Sequence, residues 1–224
     1  MILVIDTATS LAVAGVGGAE DESATSVVSR AWPVRHQHGE TLLPTLVAFL
    51  AERDVSLSDL GGIIVGTGPG AFTGLRVGLA TAKGLAHGLG LPIVGVSTAE
   101  ALIEASGPSD PGSDVLVLLP AGPNDRVAVH AGRPPELVPG GSEPPTAPGD
   151  RLVAVDLDGR APAEAVERGA TALRGLAAAM FRLGVARLRA GRPDDLAGLV
   201  PEYVTLPRGV RASSGEMSWS RDHR

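Results

Sequence analysis

The sequence predicts an α/β fold, and three features of it do so. Apolar runs of strand length alternate with helix-period segments over the first hundred residues, in the order βββαβαβα, which favours parallel pairing. A Pro/Gly/Ser-rich break at 106–114 is followed by a second block of strands that ends in one long helical pattern. Hydrophobic residues make up 44% of the 224 positions, enough to fill a core, and the absence of cysteine removes disulfides, thiolate metal centres and cysteine nucleophiles. Chemistry of that kind is excluded, and a cytoplasmic setting is expected.

The elements follow in order. "ILVIDTAT", "LAVAGVGG" and "ATSVVSRAWP" read as a strand meander, and Asp6 inside the first run argues for a buried strand, not a leader. Thr41 is placed to cap a helix over 41–53, with Leu42, Leu46, Phe49 and Leu50 on one stripe and Pro44 in its first turn. Strand "GGIIVGTG", a helix over 71–89, strand "PIVGVS" and the short helix "TAEALIEA" complete this half. Beyond the break come strands "VLVLLPA", "RVAVHAG", "PELVPG" and "RLVAVDLD", a Pro/Gly-rich loop at 139–149 and a helix over 163–190. The division is therefore 1–105, 106–204 and a tail at 205–224, expected to be flexible, whose end shows no sustained period. No apolar run approaches the roughly 20 residues of a membrane span.

The stretch "GTGPGAFTGLRVGLATAKGLAHGLG" looks like a phosphate cradle opening a helix, but its chemistry does not match. Leu75 and Arg76 follow Gly74 where a P-loop needs Lys and Ser or Thr, and Thr73 stands where a dinucleotide fingerprint needs its third glycine. What is left is a strand-to-helix turn in which Gly66, Gly68 and Gly70 free the backbone. It can receive a phosphate or lie against another backbone. Asp6, Thr7 and Thr9, with Ser10, end the first strand where open α/β sheets present ligands, so Asp6, Thr7, Thr9, Gly68 and Gly70 are candidate nucleotide-binding residues; a plain polar turn is the other reading. Gly70, Gly74, Gly78, Ala82 and Ala86 recur every four residues as a side-chain-poor ridge. Interior glycines cost a helix roughly 1 kcal/mol each, so the ridge needs a close-packed neighbour, from this chain or another.

"RHQHGE" sets His36, His38 and Glu40 within reach of a metal, but a polar loop before a helix is commoner and no third ligand is implied. No G-x-S-x-G elbow marks a serine nucleophile. The net charge of −6 speaks against a freestanding nucleic-acid binder. Seven arginines from Arg160 to Arg192 read mainly as a solvated helix face, with Arg182, Arg187 and Arg189 as candidate RNA guides.

"ILVIDTATS", "HGETLLPTL" and "GTGPGAFTGLRVGLATAKGLAHGLGLPIVGVSTAEAL" together resemble the bacterial TsaB (YeaZ) family, the dimerisation subunit of tRNA threonylcarbamoyladenosine biosynthesis, over about residues 1–105. The later half departs from it, with "PAGPNDRVAV" for the D-A-R-x-G-E-V-Y-like segment and "PEYVT" for P-x-Y-L-R, so that Thr205 replaces the arginine. The resemblance implies an actin/Hsp70-like (ASKHA) fold built of two RNase H-like βββαβα halves. It also implies a degenerate paralogue of the TsaD transferase, since Thr98 and Leu102 fall where TsaD carries its H-x-x-x-H metal ligands. On that reading the chain has no catalytic residue, metal or cofactor of its own. Leu42, Leu46, Phe49, Leu50, Gly70, Phe72, Gly74, Gly78, Ala82 and Ala86 would join a helix pair of a TsaD-like partner, or of a second copy in a homodimer. The complex would modify N6 of adenosine 37 in tRNAs reading codons that begin with A, with a TsaE-like ATPase docking on it, ATP or ADP near the shared interface, and tRNA met through the complex. A stand-alone actin-fold ATPase or kinase is the rival function.

Overall fold

The computed structural model of the chain describes residues 1–33, 38–108 and 113–204, and the side chains of 38–40 are not described. Five strands, β1 (Ile2–Asp6), β2 (Leu11–Gly17), β3 (Val28–Pro33), β4 (Gly62–Gly68) and β5 (Ile93–Ser97), form a sheet in the order β3-β2-β1-β4-β5. β1 runs antiparallel to β2 and parallel to β4, with Ile2 opposite Gly17 and Gly62 respectively. Helices α1 (His38–Ala51), α2 (Phe72–Leu89) and α3 (Thr98–Ala105) alternate with the later strands, giving the expected βββαβαβα order. The second sheet, β8-β7-β6-β9, is a smaller version built from β6 (Val115–Pro120), β7 (Arg126–His130), β8 (Glu136–Val138) and β9 (Arg151–Ala154). Loop 139–150 takes the place of a helix there, and α4 (Ala163–Arg189) closes the unit.

Strand alternation sets the layers. Leu3 and Ile5 of β1 face α1 and α2, whereas Ile2 and Val4 share a core with α3, α4 and the β6 residues Val115, Val117 and Leu119. The two middle helices therefore serve both sheets, through Leu102 on α3 and Leu176, Met180 and Phe181 on α4. Each such fully buried side chain contributes roughly 2 kcal/mol by leaving water.

α1 begins at His38, a turn earlier than Thr41, so Pro44 sits inside the helix and not in its first turn. Thr41 followed by Pro44 imitates an N-terminal signature, but the apolar stripe decides the packing. Leu46, Phe49 and Leu50 lie against the first sheet, and Leu42 is buried with them. Ser97 caps α3 by accepting the Glu100 N–H.

After α4 the chain crosses back to the first sheet. Asp194 N–H donates to Ile93 O, the Asp194 carboxylate accepts from Gly95 N–H and from Arg187, and Glu202 N–H donates to Thr67 O. The Asp194 contacts at Ile93 and Gly95 occupy the edge of β5, which would otherwise present unpaired donors and acceptors. A second tie joins the halves at the β1–β2 turn: Asp156 accepts from Ser10 N–H at 2.6 Å and from the Ser10 hydroxyl at 2.5 Å, while holding a left-handed backbone at φ 56°. Asp156→Ala is expected to lower stability by about 2 kcal/mol, measured by urea denaturation. An unchanged midpoint would show the tie to be idle.

Candidate functional site

Asp6 ends β1 and is fully buried. One carboxylate oxygen accepts the Ala8 N–H at 2.9 Å and the other accepts the Thr98 hydroxyl at 2.6 Å; Thr98 Oγ1 in turn accepts the Gly68 N–H at 3.2 Å. Burial raises the Asp6 pKa above the usual carboxylate range, and the two hydrogen bonds oppose the shift without cancelling it. Thr7 donates to Gly74 O at 2.7 Å, and Thr9 Oγ1 bonds Leu11 in both directions. The side chains gathered at this strand end thus satisfy one another.

The glycines make room for them. A β-carbon on Gly66 would overlap the Asp6 carboxylate, one on Gly70 would overlap Ala8 O, and one on Gly78 would overlap the Thr7 hydroxyl. Ala71 N–H also donates to Ala8 O at 2.7 Å. Gly68 holds φ 104° before a cis Pro69. The turn lies against the backbone of Ala8. As candidate nucleotide residues, Asp6, Thr7, Thr9, Gly68 and Gly70 are brought together, but around their own contacts.

The proposed interface residues are corrected in detail. Leu42, Leu46, Phe49, Leu50, Gly74, Gly78, Ala82 and Ala86 are buried inside this chain, so a partner does not reach their side chains. Gly70 backs onto Ala8, and of the ten only Gly70 and Phe72 are partly open. The opposite faces of α1 and α2, which pack side by side, point outward. Leu43 and Val47 of α1 are 44% and 45% exposed, and on α2 the exposed Ala80, Gly84 and Gly88 repeat at four-residue spacing, with nothing within 4 Å of a β-carbon on either glycine. Two small-residue ridges run along α2, one inward and one outward, and the periodicity alone does not say which is which.

Of the candidate RNA guides, Arg182 pairs with Glu104, Arg187 with Asp194 and Arg189 with Glu20 and Glu22. Thr98 and Leu102 are both fully buried. Among the described residues no group of three or more acidic or histidine side chains is placed to hold a metal, and no helix is long and apolar enough to cross a membrane. His36, Thr205 and the tail lie outside the described residues, as do the side chains of His38 and Glu40.

A cleft of about 850 Å³ opens between the N-terminus of α2 and the turn after β6, lined by Pro69, Phe72, Asn124, Asp125, Glu202 and Tyr203 among others. On its α2 side Tyr203 packs on Phe72 with ring centroids 5.1 Å apart; the Arg76 guanidinium lies 3.7 Å over the Phe72 ring and donates to the Tyr203 hydroxyl at 2.9 Å. Burial and the nearby Glu100 charge raise the Glu202 pKa. Sequence reasoning missed Arg76 and Tyr203 as a unit, because 127 residues separate them.

A family model described as TsaD, tRNA N6-adenosine threonylcarbamoyltransferase, matches residues 33–141. An uncharacterized protein of Mycobacterium leprae is 37% identical over 102 residues, 46% of this chain and 28% of that protein. One of Mycobacterium tuberculosis is 39% identical over 101 residues, 45% of this chain and 47% of that protein. The Escherichia coli tRNA threonylcarbamoyladenosine biosynthesis protein TsaB is 35% identical over 85 residues, 38% of this chain and 37% of that protein. The chain spans less than half the length of these curated relatives. Among solved structures, YeaZ from Pseudomonas aeruginosa superposes with a TM-score of 0.67 at 22% identity, covering 91% of this chain and 99% of that one, and with it the α/β actin/Hsp70-like fold. The first half carries a likeness in sequence to TsaB and to the TsaD-type family model, and the whole length carries a likeness in fold to YeaZ.

Proposed function

We propose that this chain works in the cytoplasm as the non-catalytic scaffold of a complex that transfers a threonylcarbamoyl group to N6 of adenosine 37 in tRNAs reading codons that begin with A. It holds a TsaD-like transferase through the outer faces of α1 and α2. The names of its TsaB relatives support the pathway. The observation that carries the scaffold role is the outward ridge of Ala80, Gly84 and Gly88 on α2, together with exposed Leu43 and Val47 on the neighbouring α1. Gly84 and Gly88 weaken an exposed helix and relieve no crowding within this chain. A helix from a second protein, approaching closely, gives them a use. The same face serves a homodimer when the partner is missing, and a TsaE-like ATPase joins the assembled pair, with ATP or ADP near the shared interface.

The rival, an ATPase or kinase acting alone, needs a carboxylate free to hold a metal–nucleotide pair. Asp6 has both oxygens engaged by Ala8 and Thr98.

Gly84→Leu tests the scaffold role. The variant is expected to fold as well as the parent, because its side chain enters open space, and to bind the TsaD-like partner at least a hundredfold more weakly by titration calorimetry. Threonylcarbamoyladenosine formation by the reconstituted pathway should fall with it. Unchanged binding would remove α2 from the interface, and product formed equally without this chain would end the scaffold reading.

A further inference from the structure

Most arginines on and around α4 are neutralised by carboxylates: Arg168 by Glu164, Arg182 by Glu104, Arg187 by Asp194 and Arg189 by Glu20 and Glu22. Arg126 and Arg160 differ. Arg160 donates from Nη1 to Gly122 O and Pro123 O, both at 3.0 Å, and from Nη2 to Asp156 O at 3.2 Å, while Arg126 donates from Nη2 to Ser142 O. Every one of these acceptors is a backbone carbonyl. Carbonyls orient a guanidinium without cancelling its charge, and among the described residues Arg126 Nε and Nη1 and Arg160 Nε have no acceptor. Both side chains line one cavity of about 460 Å³, with the Asn124 side chain and the turn at 139–142, where Ser142 N–H bonds Pro139 O and Gly141 takes φ 82°. Glu143 lines it as well, and the Asp125 carboxylate accepts the Gly140 N–H at its wall, so the positive charge is concentrated at the two guanidinium groups.

We propose that this cavity is a phosphate site for a nucleotide, either free or within an RNA strand. Two fixed guanidinium groups offer several convergent charge-assisted donors, a geometry that suits phosphate oxygens. Asn124 also lines the 850 Å³ cleft, whose other wall carries Phe72 and Tyr203. A phosphate at Arg126 and Arg160 therefore leaves the attached sugar and base beside a cleft with aromatic side chains, and bases stack on such surfaces. The site lies on the loops of the second sheet, apart from the Asp6 turn, and it is independent of the scaffold role of α1 and α2.

The test titrates the full chain with sodium pyrophosphate, ADP and a short RNA hairpin by calorimetry. At least one probe is expected to bind. Arg126→Gln should weaken that binding about tenfold or more, while Arg174→Gln, outside the cavity, should leave it unchanged. ADP binding well above pyrophosphate assigns a free nucleotide; hairpin binding above both, displaced by pyrophosphate and steeply salt-dependent, assigns RNA. Pyrophosphate matching both assigns recognition to the phosphate alone. Should Arg126→Gln fail to fold, protection of Arg126 against phenylglyoxal by the bound probe, read by peptide mass spectrometry, reports the same contact in the unmutated chain. No binding by any probe, or binding that neither the substitution nor the protection assay connects to Arg126, overturns the site.

Discussion

Gly78→Leu should lower the stability of the isolated chain by about 3 kcal/mol or more, roughly 10 °C in thermal midpoint for a protein of this size. The cause is local. A β-carbon at Gly78 overlaps the Thr7 hydroxyl, which is itself fixed by its bond to Gly74 O one turn earlier in α2. Thr7 has no room to retreat, because Ala8 next to it is held by Asp6 and by Ala71 N–H. The new side chain therefore separates α2 from the end of β1, and with it the core of Leu3, Ile5, Leu79 and Ala82. Loss of partner binding in this variant would say nothing about an interface, since the face that binds would no longer be formed. Gly84→Leu supplies the contrast: same helix, same substitution, open space. A thermal midpoint for Gly78→Leu within a degree of the parent would show that the strand end yields easily and that the inward ridge has no packing duty.

The fold was largely legible in the sequence because its signals are local. The continuous apolar runs of β1 and β6 and the long helical pattern of α4 each sit within one element. The start of α1 was misplaced because Thr41 and Pro44 imitate a helix N-terminus that in fact lies at His38. The orientation of α2 was not legible at all: small residues occur on both its faces, and only the position of Thr7 and Ala8 decides that Gly70 and Gly78 turn inward while Gly84 turns outward. The site around Arg76 and the second-half cavity were hidden for a different reason. Their members meet across long separations, as with Arg76 and Tyr203 or Arg160 and Gly122, and are joined by single hydrogen bonds that leave no period in the chain.

Asp6 carries the second large effect. Asp6→Ala removes the acceptor for two buried donors, the Ala8 N–H and the Thr98 hydroxyl, and is expected to cost about 3 kcal/mol. Asp6→Asn keeps an oxygen for Ala8 and a polar group near Thr98, so at neutral pH its loss should be near 1 kcal/mol. The pair also separates charge from hydrogen bonding. Burial raises the folded pKa of Asp6 above its unfolded value, so the folded chain binds the proton more tightly than the unfolded one. The stability tied to that proton is fully present below about pH 4, the ordinary carboxylate pKa, and is lost as pH rises through the raised value. Asp21, Glu52, Asp59 and Asp150 are shifted the other way and act at lower pH, while Glu202 is raised like Asp6. Subtracting the urea-unfolding profile of Asp6→Asn from that of the parent between pH 4 and 8 cancels the Glu202 contribution and leaves that of Asp6. The parent should lose more stability than the variant as pH rises. Parallel profiles would mean that the carboxyl ionises in the fold as readily as in water, and that the engaged oxygens at the strand end are held by hydrogen bonds alone.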